Sequence, residues 1–154
     1  MPIYNRRFLE TKTRVPSPLH LEQVGPRLPV IVAIPEKLKQ YLSSKNKSVP
    51  KPVRGYALVD TGASVTAVDE DTISEMGVSA IGITNLTTPN GTAQRNLYPA
   101  SFNFPGTPLP EVSFERVVGA SLKQQRIIVL LGRDILRHFL LVYNGPGATI
   151  SLSF

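Results

Sequence analysis

The sequence predicts a mostly β domain with two or three short helices, and three observations support it. Fourteen prolines and eleven glycines punctuate 154 residues, which supplies turns and breaks long helices. The apolar runs, such as residues 30–34 and 127–131, are strand-sized and rich in β-branched side chains. The length suits one core and is too short for two ordinary domains, and no internal repeat is visible.

Residues 1–27 read as a basic, proline-punctuated extension and residues 28–154 as the folded domain. A β-rich run at 28–34 ends at Pro35. Residues 36–44 have helical composition, with Leu38, Tyr41 and Leu42 on one face at i, i+3, i+4. A basic, proline-bounded loop follows at 45–52, and then an apolar strand at 56–59. Residues 65–68 alternate as a short strand. Residues 69–76 read as a short helix, with Asp69 or Asp71 as N-cap and Gly77 as its stop. Two β-rich stretches, 81–88 and 92–104, flank Pro89-Asn90-Gly91, a hairpin signal because Asn and Gly tolerate positive φ. Strands are expected at 111–118 and 126–131, and a short helix opens at Gly132 and runs through His138. Strands at 140–143 and 148–154 close the chain around a turn at 144–147.

Composition excludes several functions. There is no cysteine, hence no disulfide framework and no thiol nucleophile. Two distant histidines do not make a metal site, and no metal or cofactor is expected. Residues 1–54 hold eleven Lys/Arg against three Asp/Glu, a net of +8, whereas the remainder holds six against eight, a net of −2. The basic leader reads as a solvated extension, because no aromatic interleaving or zinc spacing accompanies it to mark nucleic-acid recognition. The first residues carry charge and no apolar signal region, and no run reaches membrane-spanning length, so a soluble cytoplasmic protein is expected.

The chemistry concentrates at residues 56–66. An apolar strand delivers Asp60 to a small-residue turn, Thr61-Gly62-Ala63-Ser64, with Val65 and Ala67 beyond it. Leu58 and Val59 bring the strand in dry, Thr61 offers a hydroxyl, and Gly62 lets the backbone turn back toward the carboxylate. Two carboxylates about 3 Å apart cannot both ionise and so share one proton. The ionised member takes a proton from water while the other polarises a peptide carbonyl. A second signal is the apolar strand ending in Leu130-Leu131-Gly132, with Arg133 and Asp134 as a charge pair that clamps the region.

Asp60-Thr61-Gly62-Ala63-Ser64, then a hairpin, then Leu130-Leu131-Gly132-Arg133-Asp134 resembles the retropepsin-like aspartic proteases over about residues 28–154. The resemblance implies a closed, barrel-like, mostly β fold that acts as a homodimer on peptide or protein substrates. It makes Asp60 the catalytic aspartate, interlocks Thr61 with its symmetry mate, and sets Gly62 against the substrate backbone. Pro89, Asn90 and Gly91 become the tip of a mobile flap. Leu58, Ala63, Ser64, Val65, Ala67, Ile128 and Leu130 become substrate-binding, which favours apolar residues around the cut. Gly132, Arg133 and Asp134 support the site, and the closing strand at 149–154 falls where the family has its dimer sheet. This chain departs from viral members in its Pro-Asn-Gly tip and in Ser64, which stands where many carry an Asp paired with the arginine after the glycine. It also has a basic extension and an insertion at 36–52. These departures resemble a cellular, bacterial member.

One chain supplies one Asp-Thr-Gly; Asp71-Thr72 lacks the glycine and lies in a helical, charged context. The partner carboxylate is therefore expected from Asp60 of a second copy on a two-fold axis. The alternative is a catalytically silent dimerisation or peptide-binding module on the same fold.

Overall fold

The computed structural model describes residues 1–88 and 91–154. In chain order the elements are β1 (Ile3–Arg7), α1 (Pro18–Val24), β2 (Arg27–Ala33), α2 (Glu36–Ser44), β3 (Val53–Val59) and β4 (Ala67–Asp69). Then come α3 (Glu70–Glu75), β5 (Gly82–Thr88), β6 (Gly91–Asn103), β7 (Val112–Ala120), a 3-10 turn (Lys123–Gln125) and β8 (Val129–Leu131). The series ends with α4 (Arg133–Leu136), β9 (Leu140–Asn144) and β10 (Thr149–Ser153). The chain is mostly β, as expected.

Strand alternation builds the core. β2 turns Leu28, Val30 and Val32 inward, and β3 does the same with Ala57 and Val59. Phe102 of β6 and Val129 and Leu131 of β8 complete the centre. The larger sheet has the order β2-β3-β8-β4-β7-β6-β5, and β2 also pairs with β6 at Ile31–Ala33, so the pairings return to β2. β8 lies between β3, to which it is parallel, and β4, to which it is antiparallel. Residues 60–66 must therefore arch over the end of β8.

The leader is more ordered than its composition suggests. β1 pairs antiparallel with β10 from Ile3↔Ser153 to Arg7↔Thr149. Phe8 and Leu21 are buried with Ala148 and Ile150 in a second, smaller cluster, and burying side chains of that size stabilises by roughly 1.5–3 kcal/mol each. α1 was not expected, although its signal is in the sequence: Ser17 caps it by accepting from the His20 N–H, and Pro18 fills its first turn. β10 occupies the middle of a three-stranded sheet, β1-β10-β9.

Two boundaries shift for physical reasons. Residues 126–128 do not extend β8, because Arg126 ends the 3-10 turn at φ 55° in the left-handed region. β4 starts at Ala67 because residues 63–66 form the arch. The helix at 36–44 and the Asp69 N-cap of α3, which accepts from Thr72 N–H, agree with the sequence expectation. No helix among the described residues is long and apolar enough to cross a membrane.

Candidate active site

Asp60 stands one residue beyond Val59, where β3 runs out. Its N–H donates to Leu131 O at 3.0 Å, so the ladder to β8 extends to the carboxylate-bearing residue itself. The chain then reverses: Gly62 N–H donates to Asp60 Oδ1 at 2.8 Å, and Ala63 N–H returns to Asp60 O at 3.3 Å. A Cβ on Gly62 would lie 3.0 Å from Asp60 Oδ1, so the missing side chain keeps that approach open. Asp60 is half-buried; Thr61 and Gly62 are exposed.

The arch is held from below by the second motif. Gly132 passes directly under Val65, where a Cβ would meet the Val65 carbonyl carbon at 2.4 Å and its oxygen at 2.5 Å. No other residue fits that crossing. Arg133 N–H donates to Ala63 O at 2.9 Å, and its guanidinium donates to Thr61 O at 2.7 Å. The arginine thus holds the backbone of the turn that carries Asp60. Asp134 accepts from Thr66 N–H at 2.9 Å and from the Thr66 hydroxyl at 2.7 Å. The same hydroxyl accepts from Gly132 N–H at 3.0 Å.

A cavity of about 280 Å³ opens beside Asp60, lined from the turn by Gly62, Ala63, Ser64, Val65 and Ala67 and from β8 by Leu130. These are residues the sequence singled out. Leu86 and Thr87 of the β5–β6 hairpin also line it, as do Ala120 and Leu122. The hairpin therefore reaches the cavity. Gly91 opens β6 at φ 112° opposite Thr88; Pro89 and Asn90 lie outside the described residues.

Two expected lining residues are elsewhere. Leu58 leans over Gly25, where a Cβ would sit 2.8 Å from Leu58 Cδ1, and it lines a different cavity with Arg27 and Arg126. Ile128 lies across Gly55, where a Cβ would meet Ile128 Cδ1 at 2.6 Å, and it packs on the core. The resemblance set both beside the cut; Leu58 does lie in β3, whereas Ile128 falls just before β8.

Sequence inspection missed Thr66, and it read Asp69 only as a helix cap and not as a tie to the cavity wall. Asp69 is 1% exposed and accepts from Leu122 N–H at 2.9 Å and from the Thr72 hydroxyl at 2.7 Å, which ties α3 to the cavity wall. Burial pushes its carboxyl up, but the Leu122, Thr72 and Lys123 hydrogen bonds outweigh burial and hold it below its ordinary value.

No family model matches the chain, and no curated protein matches it. Among solved structures it is similar to the simian foamy virus (mac) protease, with 18% identity, 71% of this chain and 91% of that one covered, and a TM-score of 0.40. It is similar to a retropepsin-like aspartic protease from Rickettsia conorii, with 16% identity, coverage of 97% and 90%, and a TM-score of 0.48. It is also similar to the retroviral protease-like domain of Ddi1 from Leishmania major, with 16% identity, coverage of 77% and 82%, and a TM-score of 0.40.

Proposed function

We propose that this chain is an aspartic endopeptidase of retropepsin type, with a closed, barrel-like fold, that works as a two-fold homodimer. The observation that carries the proposal is Asp60, fixed by the Gly62 N–H at 2.8 Å and set at the edge of a cavity lined by small and apolar residues. The ring of pairings from β2 through β6 and back supports the fold.

Two Asp60 carboxylates meeting on the axis share one proton and hold a water. The ionised one removes a proton from that water, whose oxygen forms a bond to the peptide carbonyl carbon. The protonated one donates to the carbonyl oxygen. Collapse of the tetrahedral adduct breaks the C–N bond, and the proton first taken from water passes to the leaving nitrogen. The arch held by Arg133 and Asp134 keeps each carboxylate in position, which is where such a site gains rate. The β5–β6 hairpin, with Leu86 and Thr87 at the cavity, acts as the flap that covers the peptide. Apolar residues are favoured beside the cut because Val65, Ala67, Leu86 and Leu130 offer no polar partner.

The test compares wild type with Asp60→Asn on a denatured, proteome-derived peptide mixture, with cut sites read by mass spectrometry. Wild type is expected to cut, and Asp60→Asn to lose at least about 10³-fold in rate while keeping its fold. Equal cutting by both, or none by either, overturns the endopeptidase reading and leaves a silent binding module.

A further inference from the structure

The cavity that took Leu58 from its expected place has a chemistry unlike the one beside Asp60. It measures about 550 Å³ and is lined by residues 22–25, Arg27, Leu58 and residues 124–126. Two of those residues are arginines. Arg27 donates through Nη2 to Gln125 O at 2.9 Å, while its Nε is buried with no hydrogen-bond partner among the described residues. A buried guanidinium N–H without an acceptor is costly, and its natural complement is a carboxylate.

The surrounding charge is also uncompensated. Burial, then the charges of Arg126 and Arg6, hold the Arg27 guanidinium below its ordinary value. Glu22 is at the wall, yet among the described residues the ion pairs are Lys39–Glu36 and Lys123–Glu75, neither of them here. Arg126 is held at φ 55°, a conformation that costs a non-glycine residue energy and that often marks a position fixed for a task. Leu58 lies on the same face of β3 as Asp60, two residues and roughly 7 Å away. An extended peptide over Asp60 covers that distance with two residues.

We propose that the cavity between Arg27 and Arg126 is a specificity subsite for an acidic side chain of the peptide substrate, about two residues from the bond cut. This rests on the endopeptidase reading above. The subsite recognises a Glu or Asp carboxylate through the Arg27 and Arg126 guanidinium heads that line it, and two-fold symmetry repeats it on the other side of the cut.

The experiment uses peptides matched to an observed cut site, with Glu or Gln placed in turn at the three positions on each side. Wild type should show one position where Glu raises kcat/KM over Gln at least about tenfold, mainly through KM. The Glu-to-Gln ratio should fall toward one in Arg27→Gln and in Arg126→Gln, recover in Arg27→Lys in part, and shrink with added NaCl. A parallel arm measures binding of the same peptides to full-length Asp60→Asn by fluorescence polarisation, where Glu should again be favoured. Cutting without a Glu preference overturns the subsite alone. A preference that survives both arginine changes does so as well. Arginine changes that weaken self-association and leave the ratio intact assign the cavity to a carboxylate of the second copy, and this too overturns it. Absence of cutting defeats the endopeptidase reading; the binding arm then runs on Glu- and Gln-substituted peptides of random sequence, where indifference to Glu defeats the subsite separately.

Discussion

The Thr66 hydroxyl joins two parts of the chain that are 68 residues apart: it donates to Asp134 Oδ1 at 2.7 Å while accepting from Gly132 N–H at 3.0 Å. With Thr66 N–H on Asp134 Oδ2, one side chain closes the arch onto the strand end beneath it. Thr66 is 2% exposed, so water does not substitute for the hydroxyl.

Thr66→Val is expected to lose about 2 kcal/mol in chemical denaturation, because it leaves a buried N–H and a carboxylate oxygen without their partner. Thr66→Ser keeps the hydroxyl and should retain most of the stability. Equal losses in the two would assign the effect to packing instead.

Gly132→Ala places a methyl group within 2.4–2.8 Å of Val65 and Thr66 backbone atoms. Backbone must move to admit it, so a loss of about 3 kcal/mol is expected. Peptide cutting should fall together with stability, since the displaced segment carries Asp60.

Asp69 gives the acid limb of stability a specific source. Its folded carboxyl titrates below the ordinary 3.8, so folding favours the ionised form. That contribution is complete above the ordinary value and disappears as pH falls through the lower, folded one. Asp69→Asn should therefore be less stable than wild type at neutral pH, with the gap narrowing in strong acid. A constant gap on a denaturation-versus-pH series would contradict this.

Phe8 is 2% exposed against Ala148 and Ile150. Phe8→Ala should cost about 3–5 kcal/mol, whereas a detached leader would tolerate the change. Thermal unfolding of the full chain decides between them.

Dilution tests the proposed homodimer. Below the dimer dissociation constant, a tenfold dilution should lower activity per chain about tenfold. Specific activity that is flat at every concentration would assign cutting to a single chain.

What was legible in the sequence was local. The strand into Asp60, the turn glycine, the strand-end Gly132 and the charge pair after it all announce themselves within a few residues. Thr66, Leu86, Thr87, Ala120 and Leu122 did not, because they reach the site through strand order: β8 between β3 and β4, and β7 parallel to β4. Nothing in a short window records that order. Leu58 and Ile128 show the same limit from the other side. Leu58 was given its right strand and Ile128 one that begins a residue later, yet glycines far away in the chain, Gly25 and Gly55, create the spaces those side chains occupy. α1 is different: Ser17-Pro18 was a readable start signal, obscured by the charge and prolines around it.

The position of β10 has a consequence for assembly and for its inhibition. Both of its hydrogen-bonding rims are already satisfied by β1 and β9 of its own molecule. In the proposed homodimer a second molecule therefore cannot thread its terminal segment alongside β10, and would approach at the outer rim of β1 or β9, or face to face. A short synthetic peptide copying residues 149–154 finds no place to zip in unless β1 is first peeled away. An agent against the proposed association would have to act at those outer rims or on the opposed faces.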